Sequence, residues 1–286
     1  MIRLSTFENN SFEPFKTLSK ENYNSLKTDC SVIKNSYTQF VVFKFLQLNI
    51  KEYSKFINQW SNVPTHKMNF AILSNVHFVL EANRLILNVI MGFKFFLDNA
   101  ETYLKRNYGK ESKVSTEFIK LTNDCFDKSF AYRFLSKLRN YAIHIGFPLE
   151  VIHLDIDFNK ENPEKSGYTF QFILHIEKLK AEKDLFGSIV YKDLLELNED
   201  LDLIPLINEL THHISTIQKY IYRVESETLN EAIENIETFV GNRKTKTNEI
   251  KVYEIIESNE TTHTLQIYDV PFDIITEFKT VYKNWH

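Results

Sequence analysis

Phe130-Ala131-Tyr132-Arg133-Phe134-Leu135-Ser136-Lys137-Leu138-Arg139-Asn140-Tyr141-Ala142-Ile143-His144-Ile145-Gly146-Phe147-Pro148 is the stretch on which the reading of this chain turns. Phe130, Phe134, Leu138, Tyr141 and Ile145 recur at steps of four, four, three and four, drawing one apolar stripe along a helix. Arg133, Lys137, Asn140 and His144 draw a second stripe about a quarter turn away. Gly146 can take the left-handed cap conformation and Pro148 forbids continuation, so His144 falls in the last turn. From Lys128 to His144 there are four basic residues (Lys128, Arg133, Lys137, Arg139) and no acidic one. A buried helix needs only the first stripe. On the second, Arg133 and Lys137 are either phosphate contacts or ordinary solvated positions.

Upstream of this helix, Ser115-Thr116-Glu117 can cap a helix over Phe118–Phe126. His66–Tyr108 holds no Pro and keeps helical spacing through Phe70, Leu73, Val76, Leu80, Leu87, Ile90 and Leu97. Such a helix would exceed about 60 Å and project beyond a compact domain unless bent, with Gly92 as the expected bend. Tyr37–Trp60 reads as a helix, although Phe40-Val-Val-Phe is also consistent with a short strand. Residues 1–36 are mixed and polar, with weak amphipathic pieces around Leu18–Cys30. After Pro148 the period alternates: Val151–Phe158 and Tyr168–Ile176 read as a hairpin, and Asp193–Leu197 as one helical turn. Pro205 opens a helix running to about Val240, where Gly241 stops it. Asn242–Asn248 is a basic, polar linker. Two alternating runs, Ile250–Ile256 and Thr264–Tyr268, then precede a helix over Phe272–Tyr282.

The composition sets outer bounds. At 286 residues the chain can bury a sizeable core. Its 24 Phe and 14 Tyr make that core aromatic, and six Gly and six Pro argue for long regular elements. A net charge of −4 gives no global basic field, so contact with a nucleic acid must be local. Cys30 and Cys125 are too few for a disulfide framework and fit a reducing compartment. No run of about 18 uninterrupted apolar residues appears, so the expectation is a soluble, cytoplasmic protein with no membrane partner.

Arg139-Asn140-x-x-x-His144 resembles the Arg-polar-x3-His signature of the HEPN superfamily, many members of which are metal-independent ribonucleases. The wider pattern, Tyr-Arg-Phe-Leu-x-x-Leu-Arg-Asn-Tyr-Ala-x-His-x-Gly-x-Pro, looks like the version found in bacterial HEPN-like proteins, and Asn83-Arg84 and Phe96-Leu97-Asp98 look similar too. The resemblance covers about residues 67–150. It implies a HEPN-like helical bundle; with the alternating runs read above, the expected fold is mainly α, over 1–241 with a β-hairpin insert at about 151–176, followed by a small ββα appendage over 249–286. It also implies a homodimer, RNA as partner, endoribonuclease activity in antiphage defence or a toxin system, and a possible antitoxin or regulatory protein. Some HEPN toxins are silenced by modification of a Tyr two residues after the His; Gly146 stands there, which puts that control in doubt.

The chemistry suits these residues. RNA is cut when its own 2′-hydroxyl attacks the neighbouring phosphate, which requires proton transfer and stabilisation of a charged phosphorane. His144, in the last helical turn, is the expected general acid. Arg139 offers a fixed fork of donors for phosphoryl oxygens, and Asn140, at i,i+4 from His144, can orient the imidazole or a phosphate. The scheme calls for no metal and no cofactor. Arg139 and His144 are five residues apart, about 140° around an ideal helix. Either the last turn is distorted, or Arg139 reaches round, or a second copy of the helix completes the site, as the resemblance implies.

Other positions carry less. His212-His213 point about 100° apart and make a poor metal pair. His153, Asp155 and Asp157 alternate along a strand with nothing near to complete a ligand set. Asn83, Arg84 and Asn88 suggest buried hydrogen bonds or a lining to the site, and Asp98 and Glu101 could pair with the basic helix. No Gly-rich phosphate loop, GxSxG elbow or CxxC is present. The competing readings are a non-catalytic module that binds RNA or nucleotide or docks a partner, and a purely structural dimerisation domain.

Overall fold

The structure is a computed structural model that describes residues 1–69, 76–157, 159–162, 164, 166–258 and 263–283. Phe70, Leu73 and Phe158 of the expected elements lie outside the described residues. In chain order the elements are β1 (Ile2–Glu8), β2 (Ser11–Leu18), α1 (Lys20–Ser61), α2 (Val76–Tyr108), α3 (Lys113–Lys128), α4 (Phe130–His144), β3 (Val151–Asp157) and β4 (Gly167–Leu174). There follow α5 (Ile176–Ala181), α6 (Lys183–Glu196), β5 (Leu201–Asp202), α7 (Leu203–Val240), β6 (Glu249–Ser258), β7 (His263–Asp269) and α8 (Phe272–Tyr282). Two compact units result, one from Met1–Phe40 with Ile221–His286, the other from Val41–Tyr220.

The first unit corrects the expectation of a helical bundle with a hairpin insert and a small tail. Its four-stranded antiparallel sheet has the order β2-β1-β6-β7, so the strands of the supposed ββα appendage pair with the N-terminal hairpin. The N-terminal stretch, expected as weak helix, forms that hairpin because Asn9 and Asn10 both adopt positive φ (51° and 61°) between Glu8 and its partner Ser11. A two-residue turn of this kind matches strand twist, and Asn tolerates it better than most residues. Leu4, Ile250 and Val252 are buried on one face of the sheet, and Phe40, Phe278 and Tyr282 form an aromatic cluster within the same unit.

In the second unit α2 is the core helix. Ala82, Leu85, Ile86, Val89, Ile90, Phe93, Phe96, Ala100 and Leu104 are buried at helical spacing, each large side chain contributing roughly 1.5–3 kcal/mol. By length and composition α2 could cross a membrane, with half of its apolar window buried inside the fold. Gly92 marks a close approach: a Cβ there would stand 3.2 Å from Leu46 Cδ1 and 3.3 Å from Asn49 Nδ2. The expected hairpin gains a third strand in the sheet β3-β4-β5, and Phe40-Val-Val-Phe is helical within α1. Asp193 belongs to α6, a longer helix whose pattern is broken by Gly187 at φ 70°. Phe186, Val190 and Leu194 of α6 are fully buried, with the Phe186 ring stacked parallel to Phe134 of α4.

Candidate functional site

Ser129 starts α4. Its Oγ accepts from Tyr132 N at 3.0 Å and donates to the Glu209 carboxylate on α7, which satisfies one of the free N–H groups of the first turn. Ala131, Phe134, Leu135 and Leu138 are fully buried, and Tyr132 and Tyr141 nearly so. Tyr132 lies edge-on to Phe93 and to His213, and burial pushes both tyrosine hydroxyls above their usual range. Neither ring is a free stacking platform. At the far end, Asn83 of α2 grips the chain just past Pro148. Its amide nitrogen donates to Leu149 O at 2.7 Å, and its oxygen accepts from Leu149 N at 3.0 Å. Asn83 thus makes buried backbone hydrogen bonds, whereas Arg84 pairs at the surface with Glu81.

The second stripe of α4 divides. Arg133 is engaged within the fold. Its Nε and Nη2 donate to the two oxygens of Asp193 on α6 at 2.5 and 3.1 Å, and Nη1 to Phe126 O and Asp127 O at 3.3 Å. The pair is mostly shielded, with 16% and 23% of the two side chains exposed, and Asp193 holds the guanidinium above its already high range. These four bonds take four of the five donors of the guanidinium, and Asp193 neutralises its charge. Asn140 donates to Leu185 O at 3.4 Å, and Lys137 approaches Gly187, so this side of α4 is also where α6 docks.

Arg139 points elsewhere, into a cleft of about 320 Å³ between α2, α3 and α4. Leu97, Phe118, Phe126 and Tyr132 form its apolar part. Thr122 and Asn123 of α3, and Ser136, Lys137, Arg139 and Asn140 of α4, supply polar groups. Lys94, Asp98 and Glu101 of α2 complete it. The two carboxylates do not pair with α4: Asp98 takes Lys94 at 2.6 Å, and Glu101 takes Lys105 one turn on. Lys137 and Arg139 therefore remain as cleft cations with no hydrogen bond or ion pair among the described residues. Thr122, Asn123, Ser136 and Lys94 were not singled out by the motif; the polar interruption of amphipathic α3 is the signal that marks the first two.

His144 is not in that cleft. It is the exposed last residue of α4, flanked by Ile143, Ile145 and Phe147, each about half exposed at 50, 51 and 53%. Gly146 takes φ +132°, turning the chain away after the helix. The structure thus brings Arg139, Asn140 and Lys137 together and leaves His144 on a separate, apolar-rimmed surface. His153, Asp155 and Asp157 line an exposed face of β3, and no group of three or more metal-ligating side chains converges among the described residues. No protein-family model matches the chain, and neither the curated proteins nor the solved structures give a match.

Proposed function

We propose that this chain is an endoribonuclease of the HEPN type that cuts RNA by attack of the 2′-hydroxyl, with Arg139 and Lys137 holding the scissile phosphate. The observation that carries the reading is the pair of unneutralised cations in a cleft that also offers Ser136, Asn140 and Asn123 as neutral hydrogen-bonding groups. Such a set stabilises a phosphorane by charge and directed hydrogen bonds, without calling on a metal. His144 supplies the proton. Because it lies outside its own cleft, the acid comes from a second copy, and the exposed Ile143, Ile145 and Phe147 form the contact that brings it there. The proposed setting is a cytoplasmic homodimer acting in antiphage defence or a toxin system, under an antitoxin or other regulatory protein.

The test is incubation of the purified chain with total RNA, with and without chelator, beside His144→Ala. Cleavage is expected to persist in chelator, to leave 2′,3′-cyclic phosphate or its opened form, and to spare RNA with a 2′-deoxy sugar at the cut site. Light scattering should show a dimer at micromolar concentration, lost on Ile145→Asp. Native-rate cutting by the His144 variant would end the enzymatic reading. A second reading, a non-catalytic RNA- or nucleotide-binding module, is favoured by the separation of His144 from the cleft. Intact RNA bound with a steep salt dependence would select it.

A further inference from the structure

The cavity between α1 and the β6–β7 edge of the sheet, within the first unit, has no part in the reading above. It measures about 110 Å³. Tyr23, Lys27, Cys30 and Lys34 follow one another at steps of four, three and four, so one face of α1 supplies its wall and mouth. Leu26, Val252 and Val270, all buried, give it an apolar floor. Burial pushes the Cys30 thiol up to about 11, which keeps it protonated near neutrality and makes it a wall atom rather than a nucleophile.

Lys27 and Lys34 both line the cavity, and neither is in an ion pair among the described residues. Lys27 Nζ lies 5.3 Å from the centre of the Tyr268 ring and 6.0 Å from that of Tyr23. Lys34 Nζ donates to the backbone oxygen of Asp269 at 3.5 Å. Asp269 also lines the cavity, and its largely exposed carboxylate pairs with Lys251 at 2.9 Å. An apolar pocket with a few placed polar groups is the ordinary build of a small-molecule site. Here the charged groups without an ion pair are both cationic, beside the hydroxyls of Tyr23, Ser31 and Tyr268. A neutral ligand would gain nothing from the two charges, and a bare phosphate would leave the apolar floor uncovered.

We propose that this cavity binds a small monocarboxylate with a single-ring or short alkyl body, its carboxylate between Lys27 and Lys34 and its body against Leu26, Val252 and Val270. The size sets the limit: an apolar cavity of roughly 150 Å³ holds benzene, so a smaller one open at its mouth takes one ring and no more. Lysine is suited to this role because its flexible stem lets a point charge follow the acid.

Calorimetry on the full chain with benzoate and hexanoate, beside benzamide and hexanamide as neutral isosteres, tests the assignment. The acids are expected to bind at about millimolar or tighter and the amides at least about tenfold more weakly. Lys27→Met and Lys34→Met, both at exposed positions, should each weaken benzoate severalfold without changing the melting temperature. Ser31→Phe, which plugs the mouth from the exposed face of α1, should abolish binding. The proposal fails if benzamide equals benzoate, if neither acid binds by about 10 mM, or if the Ser31 variant binds as the parent does.

Discussion

Arg133 and Arg139 stand six residues apart on one helix, carry the same guanidinium, and meet opposite surroundings. Arg133 lies toward the end of α4 that Ser129 caps, where Asp193 of α6 and two carbonyls take four of its five donors. Arg139 lies in the half that turns toward α2 and α3, where the available acids already have lysines of their own. The contrast teaches that a basic stripe is not a binding surface in itself. A cation is free only when the tertiary structure fails to deliver it an acid, and Asp193, the acid that neutralises Arg133, comes from sixty residues downstream.

The strongest way to break this comparison is kinetic. Arg139→Ala and His144→Ala are expected to lower the cleavage rate by about 10²–10⁴-fold, while both melting temperatures stay within the scatter of surface changes, about 0.5 kcal/mol. A variant that lost stability instead would move Arg139 into the structural half with Arg133. Next in size are the supports. Asn83→Ala strips both backbone partners from Leu149 and should cost about 3 kcal/mol, since a buried N–H and C=O are each left unsatisfied. Chemical denaturation measures this directly, and an unchanged midpoint would mean that the segment after α4 holds itself.

Arg133→Met should cost about 2 kcal/mol by stranding the partly buried Asp193, with RNA affinity unaltered. Lys137→Ala should do the reverse, with stability held and RNA affinity reduced several-fold at low salt. Filter binding of the two variants side by side separates the halves of the helix. If Arg133→Met weakened RNA binding as Lys137→Ala does while remaining folded, the division drawn between them would be wrong.

The smallest effect concerns pH. Asp200 accepts from Ile176 N at 2.8 Å and meets His175 Nδ1 at 2.9 Å, and first the backbone N–H, then the histidine, holds its carboxyl below the usual range. A depressed carboxyl stabilises the fold at pH above its unfolded value, about 3.9, and that contribution fades as pH falls through the lower folded value. Asp200→Asn should therefore flatten the loss of stability between about pH 4 and pH 2, as denaturation midpoints would show. An unchanged slope would place acid sensitivity elsewhere.

Much of α4 could be read directly: its apolar stripe, its stop at Gly146-Pro148, and the five-residue offset that separates Arg139 from His144. These are local matters, set by side-chain spacing and by two backbone-restricted residues. The N-terminal hairpin was legible in principle, through Asn9-Asn10 with Phe7 and Phe12 two residues to either side, but Pro14 and the mixed polarity of β2 hid its period. Its partner β6 lies some 240 residues away in sequence, and no local pattern encodes such a pairing. The same holds for α6, whose helical period is interrupted by Gly187.

What the sequence by itself determined is the helix, its two chemically distinct stripes, and the placing of an arginine, an asparagine and a histidine near its end. Only the tertiary structure decided which of the helix's polar side chains are free. It gave Arg133 to Asp193, left Lys137 and Arg139 in a cleft, and put His144 on an exposed apolar rim. The physical reason is that a charged side chain takes its function from what lies within a few ångströms of it, and folding assembles those neighbours from distant parts of the chain.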